Sequence, residues 1–220
     1  DRVAALPRRE DNHSGALLVV LPLGGRAALG VVVDAARPLH LAAAADEYDS
    51  AFFDKRSKFL HYHSNTLVIN NIEYDHADIF GDLESIKKQF HHLIRTLPES
   101  GTVIFPAGNE AIESVVEAGW WSNQSRYGHL EGDWRYHVAD QSAKFEILRD
   151  TPGRLQQGKV DWLLSGRHNV YNGVAAVMAA YQAGVSVKYS CEILSRFPGV
   201  KRRMETLYNE DDFVSSDDSE

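Results

Sequence analysis

Hydrophobic and polar positions fall into blocks along the chain, and the clearest block begins with Thr66-Leu67-Val68-Ile69. A short run of β-branched and apolar residues reads as a strand buried on both faces. Farther on, Asp82 stands before Leu83, Ile86, Phe90, Leu93, Ile94 and Leu97. Steps of three and four put these on one helical stripe, with Asp82 placed to cap the helix. Thr102-Val103-Ile104-Phe105 repeats the strand pattern and is closed by Pro106. Asn109 then heads a short helix through Ile112, Val115 and Val116, ended by Gly119. Strand, helix, strand, helix is the rhythm of a parallel sheet covered by helices.

Beyond Gly119 the pattern changes. Residues 124–127, 134–138, 144–148 and 160–164 read as short strands, with Gly128, Gly132, Asp140, Pro152 and Gly158 as turns between them. Consecutive strands without helices predict an antiparallel extension on one side of the sheet. Asn169 opens a long helix over 170–183, built almost wholly of small and apolar residues, and a second helix follows at 188–197 before Pro198-Gly199. The fold class predicted is α/β: a mostly parallel sheet flanked by helices, with an antiparallel extension.

The ends are less sharply patterned. Residues 1–47 contain no lysine and no aromatic residue before Tyr48, and only 17–21 and 30–33 read as strands. Residues 51–58 read as a charged turn or short helix. The stretch from Tyr208 carries Glu210, Asp211, Asp212, Asp217, Asp218 and Glu220 and reads as a disordered tail. The chain begins with Asp1, which is the expectation for a fragment or a processed product.

Composition narrows the function classes. The 220 residues are 44% hydrophobic and 25% charged, an ordinary globular mix. The net charge of −8 and the lack of a basic stripe argue against nucleic-acid binding. The apolar stretch around Leu17-Leu18-Val19-Val20 is too short to span a membrane. One cysteine, Cys191, excludes an internal disulfide, fits a cytoplasmic protein and reads as a buried helix residue. The tryptophans Trp120, Trp121, Trp134 and Trp162 read as core.

Candidate chemistry gathers at two places. Glu73, Asp75, His76 and Asp78 lie between the end of the 66–69 strand and the next helix. Ligands bind at that edge of an open α/β sheet, and such a cluster can hold a divalent metal; the plain alternative is a polar loop. Gly166-Arg167-His168-Asn169-Val170-Tyr171-Asn172 stands where the second helical region opens. Helix starts offer unpaired backbone amides, and Asn169 and Asn172 share a face; the alternative is that Asn169 is only an N-cap. His61 and His63 with His76 raise a zinc site, against the simpler reading of two solvated histidines. His91 and His92, adjacent on a helix, point in different directions. No G-x-x-x-x-G-K-[ST] phosphate loop is present; Gly25-Arg26-Ala27-Ala28-Leu29-Gly30 has the glycine spacing but is followed by Val31 and Val32.

Several motifs, in order, resemble the central domain of the Mur ligase family. They are the stretch from Asp46-Glu47-Tyr48-Asp49 to Lys58-Phe59, the Asn70-Asn71 to Phe80 segment, Gln89-Phe90-His91-His92-Leu93, the Gly166 to Asn172 motif, and Phe197-Pro198-Gly199 through Glu205. The resemblance spans roughly residues 44–207. It implies a poorly specified segment at 1–45, a central ATP-binding domain at 46–200, and a hinge with an acidic tail at 201–220 that starts a C-terminal domain. In that family a sugar-linked carboxylate attacks the γ-phosphate of ATP, and the acyl phosphate is captured by a peptide amine. The substrates implied are UDP-N-acetylmuramate and a murein tripeptide, and the cofactors are ATP and Mg2+. Carried over, His76 would ligate magnesium, His168, Asn169 and Asn172 would meet the nucleotide's base and ribose, and Arg203 would approach the phosphates as a catalytic residue. Two departures stand against catalysis by this chain alone: the family's Gly-Lys-Thr phosphate loop is lacking, and Ala44 occupies the place of a magnesium-binding glutamate. Non-catalytic binding of a nucleotide or a partner is the rival expectation, and a metal-dependent hydrolase a weaker one.

Overall fold

The computed structural model describes residues 64–72, 82–138 and 144–197 in full, and by backbone pairing alone the strands at 17–20, 42–44, 49–51, 54–57, 205–210 and 213–217. The strands are β1 (Leu17–Val20), β2 (Ala42–Ala44), β3 (Asp49–Ala51), β4 (Asp54–Ser57), β5 (Thr66–Ile69), β6 (Thr102–Pro106), β7 (Asn123–Gly128), β8 (Trp134–Val138), β9 (Phe145–Thr151), β10 (Arg154–Val160), β11 (Glu205–Glu210) and β12 (Phe213–Asp217). The helices are α1 (Leu83–Ile94), α2 (Glu110–Glu117), α3 (Arg167–Gln182) and α4 (Val187–Leu194). One sheet runs in the order β10-β9-β8-β7-β6-β5-β1-β2. Pairing is parallel from β2 through β8 and antiparallel for β8–β9 and β9–β10.

Side chains divide the sheet into two faces. Leu67, Ile69, Val103 and Phe105 point to the α1 and α2 side, where Phe90, Leu93, Ile112 and Val116 complete one core. Val68 and Ile104, one residue out of phase, join Trp134, Ile147 and the apolar residues of α3 on the other. The caps anticipated for the first two helices form: Asp82 accepts from the Ser85 amide at 2.8 Å, and Asn109 from the Ile112 amide at 3.2 Å. Helix α3 lies so close to the sheet that a Cβ on Gly173 would fall 2.8 Å from the Phe145 and Trp162 rings. Cys191 is buried on α4 as anticipated, and burial pushes its thiol up to about 12.

Several expectations are corrected. The strand at 124–127 is not antiparallel: β7 lies parallel to β6, joined to it through α2. Strand β8 then pairs parallel with the end of β7 through a loop of five residues. In that loop a Cβ on Gly132 would fall 2.7 Å from the Arg126 carbonyl oxygen, so glycine is needed there, and the Asp133 carboxylate accepts from the Arg126 amide at 3.0 Å. The last strand of the antiparallel extension is Arg154–Val160, not 160–164; it is an edge strand, so it tolerates the polar Arg154, Gln156, Gln157 and Lys159. Leu163, inside the expected strand, is 98% exposed. Of the stretch read as a charged turn or short helix at 51–58, residues 54–57 are the strand β4, whose backbone pairs antiparallel with β3; residues 52, 53 and 58 lie outside the described residues. Where a disordered tail was expected, the backbone of β11 and β12 pairs antiparallel, in keeping with the strand preference of Thr206, Tyr208, Phe213 and Val214. Trp134 and Trp162 are core, but Trp120 and Trp121 are 46% and 47% exposed. The strand expected at 30–33 lies outside the described residues.

Candidate functional site at the carboxyl edge of the sheet

Strands β5, β6 and β7 run parallel, so their carboxyl ends share one edge. Asn70 follows β5 directly and is buried. The α3 helix starts opposite it. Gly166 turns the chain with φ +87°, and a Cβ there would lie 2.7 Å from the His168 ring, so glycine lets the imidazole fold back over the turn. Gly166 occupies the N-cap position and no side chain caps the helix. The reading of Asn169 as a cap is therefore wrong. Its side-chain amide, within the first turn, donates to the Ser165 carbonyl at 2.6 Å.

Asn172 lies one turn farther and meets the sheet. The Asn70 amide nitrogen donates to the Asn172 side-chain oxygen at 2.8 Å, and the Tyr127 hydroxyl donates to the Asn70 side-chain oxygen at 2.9 Å. Two motifs separated by about a hundred residues are thus joined by a relay that is half-buried at Asn172 and fully buried where it ends on β7. His168 is exposed and Asn169 and Asn172 are half-buried. His76, Arg203, His61 and His63 lie outside the described residues. Among the described residues no group of His, Cys, Asp and Glu is arranged to hold a metal.

Beside the relay lies a cavity of about 230 Å³, whose walls include Tyr127, Glu131, Tyr136, Arg167 and Tyr171. The Arg167 guanidinium stands 5.5 Å from the centre of the Tyr171 ring, a cation–π contact. Burial holds the Tyr127 phenol well above its ordinary value. Burial, followed by hydrogen bonding and repulsion from Tyr171, raises Tyr136 to about 12, with Arg167 opposing. Sequence reasoning missed Tyr127 and Tyr136, and it gave Asn70, Arg167 and Tyr171 no role of their own although they stand inside the quoted motifs. Two signals were available: Asn70 directly follows a buried strand, and Arg167 and Tyr171 are four apart on a helix.

A second glycine-spaced stretch, Gly153 through Gly158-Lys159, comes nearer the phosphate-loop pattern than Gly25 to Gly30. It begins in the β9–β10 turn and runs along β10, where Lys159 forms an ion pair with Glu146, and Val160 stands where the pattern needs a hydroxyl. A phosphate loop must lead from a strand into a helix, so this match is fortuitous.

A mostly parallel sheet with helices on both faces, an antiparallel edge, and asparagine motifs meeting at the carboxyl ends define an open α/β domain of the kind that binds ligands at that edge. Residues 43–180 match the family model described as the Mur ligase middle domain, and the chain belongs to the Mur ligase family. It is 43% identical over 162 residues to the UDP-N-acetylmuramate–L-alanyl-γ-D-glutamyl-meso-2,6-diaminoheptandioate ligase of Escherichia coli, covering 73% of this chain and 35% of that protein. The ligase of the same name from Haemophilus influenzae is 41% identical over 161 residues, with 73% and 35% covered. The crystal structure of the corresponding ligase from Neisseria meningitides superposes with a TM-score of 0.65 at 43% identity, covering 73% of this chain and 48% of that one. The chain spans about a third of the length of the curated relatives it matches.

Proposed function

We propose that this chain is the nucleotide-binding middle unit of an ATP-dependent amide ligase that joins UDP-N-acetylmuramate to a murein tripeptide. The observation that carries the proposal is the Asn70–Asn172 hydrogen bond, which ties the carboxyl end of β5 to the first turns of α3. The names of the relatives supply the substrates.

The donor set fits the base and ribose end of a nucleotide. An exposed imidazole at His168 offers a face and a ring nitrogen, and the Asn172 amide, its oxygen engaged by Asn70, offers hydrogens. In this reading His168, Asn169 and Asn172 hold the base and ribose, His76 holds Mg2+ and Arg203 meets the phosphates. ATP with Mg2+ supplies a transferable phosphoryl group that activates the sugar-linked carboxylate. The chain's described residues bind and orient: α3 presents its first-turn amides, and the relay fixes α3 against β5.

The lack of a Gly-Lys-Ser or Gly-Lys-Thr sequence favours a second reading, in which the chain binds a nucleotide without catalysis. Phosphoryl transfer draws nearly all its acceleration from positioning and electrostatics, so loss of the lysine and hydroxyl should each cost on the order of a hundredfold or more. The test is to incubate the purified chain with UDP-N-acetylmuramate, tripeptide, ATP and magnesium, alongside calorimetric titration of ATP with and without magnesium. ATP binding without ADP or amide product is expected of the chain by itself. Turnover that disappears in His76→Ala would show a complete site within the chain, and failure to bind ATP would overturn the proposed function.

A further inference from the structure

We infer that Tyr127 is a positioning residue that sets which end of the Asn172 amide faces a ligand. An asparagine amide has one accepting end and one donating end, and nothing in its shape decides between its two orientations. In this fold the choice is made at a distance. The Tyr127 hydroxyl donates to the Asn70 oxygen at 2.9 Å, which commits the Asn70 nitrogen to the other side. That nitrogen donates to the Asn172 oxygen at 2.8 Å. The Asn172 hydrogens are then the end left for a ligand, so the position selects hydrogen-bond acceptors such as ring nitrogens or ribose oxygens. If the phenol accepted instead, both amides would reverse and Asn172 would present its oxygen.

The direction is that of the two hydrogen bonds, and three observations support the relay itself. Tyr127 is fully buried and Asn70 is only 6% exposed, so water does not compete for either. Burial raises the phenol's pKa, so the hydroxyl retains the proton it donates to Asn70 into the alkaline range. Tyr127 also stands edge-on to Tyr171, at 6.0 Å between centres, which ties its ring to the same helix that carries Asn172. The sequence gives no hint of this, because Tyr127 is one of several alternating residues on an ordinary strand.

The inference rests on the proposed nucleotide contact of Asn172, and the experiment separates the two. ATP affinity is measured by calorimetry for the full chain, Tyr127→Phe, Asn172→Ala and the double variant. Tyr127→Phe removes one hydroxyl, and loss of one hydrogen bond should weaken ATP about fivefold. In the Asn172→Ala background the same change should have no effect, because Tyr127 acts through Asn172. Equal loss in both backgrounds would overturn the inference and make Tyr127 merely structural. If the unaltered chain binds no ATP, the proposed function fails, and the relay is judged from the nitrogen-15 signals of the Asn172 side-chain amide. Their displacement in Tyr127→Phe, with those of Asn123 unmoved, supports the relay; an unmoved Asn172 signal overturns it.

Discussion

Gly132 shows how much can depend on a single missing side chain. Its φ is +100°, and a Cβ would come 2.7 Å from the Arg126 carbonyl oxygen and 2.9 Å from its carbon. These neighbours are backbone and have little room to yield. Gly132→Ala should cost about 2 kcal/mol, combining a left-handed backbone penalty with displacement of the β7–β8 loop. Gly153 is the natural control: its φ is +77°, but nothing lies within 4 Å of the added Cβ. Gly153→Ala should therefore show only the backbone term, about 1 kcal/mol. Urea denaturation midpoints compare the two, and equal losses would mean that the close approach at Gly132 has no energetic consequence. At this scale the sequence was informative where chemistry is local, as with the caps at Asp82 and Asn109. It misled at Asn169, because the same residue type also hydrogen-bonds back to a preceding carbonyl.

Among the elements, β7, β8 and α3 form an aromatic cluster that also constrains pH behaviour. Tyr127 and Tyr136 meet at 6.4 Å, and each approaches Tyr171 at 6.0 Å. Tyr127 is held well above 10, Tyr136 rises to about 12, and Cys191 on α4 rises from 9.0 to about 12. Raised acids are neutral in both states below about 9 and then add no pH dependence. As pH climbs above 9 for the thiol and 10 for the phenols, the unfolded chain releases protons that the folded chain retains. Stability should thus fall steadily from pH 9 toward 12, where the folded groups themselves begin to ionise. Denaturant midpoints at pH 8, 10 and 11 check this, and Tyr136→Phe should make the fall shallower; a flat profile would contradict it. The periodic elements here, α1, α2, β5 and β6, were legible because each buries a face set by its own sequence. The direction of β7 was not, since a strand's period is the same whether its neighbour runs parallel or antiparallel. Nor was β10, a largely exposed edge strand whose place is fixed by β9 and α4 and not by its own composition: a Cβ on Gly158 would lie 2.5 Å from the Cys191 sulfur.

At the scale of the whole molecule, two segments distant in sequence meet because α3, leaving the outer strand β10, packs back across β5 and β6 and sets its first turns at the carboxyl end of β5. Family motifs in the sequence marked both segments, at Asn70-Asn71 and at Gly166 to Asn172, but the Tyr127–Asn70–Asn172 connection depends on three-dimensional pairing and had no sequence signature. The central claim is that a nucleotide binds at this edge. The most direct measurement is amide chemical-shift mapping of the purified chain during an ATP titration. The account predicts saturable shifts concentrated at residues 70–72 and 166–172, with the exposed faces of α1 and α2 unmoved. Shifts confined to α1 and α2, or none at any ATP concentration, would contradict it.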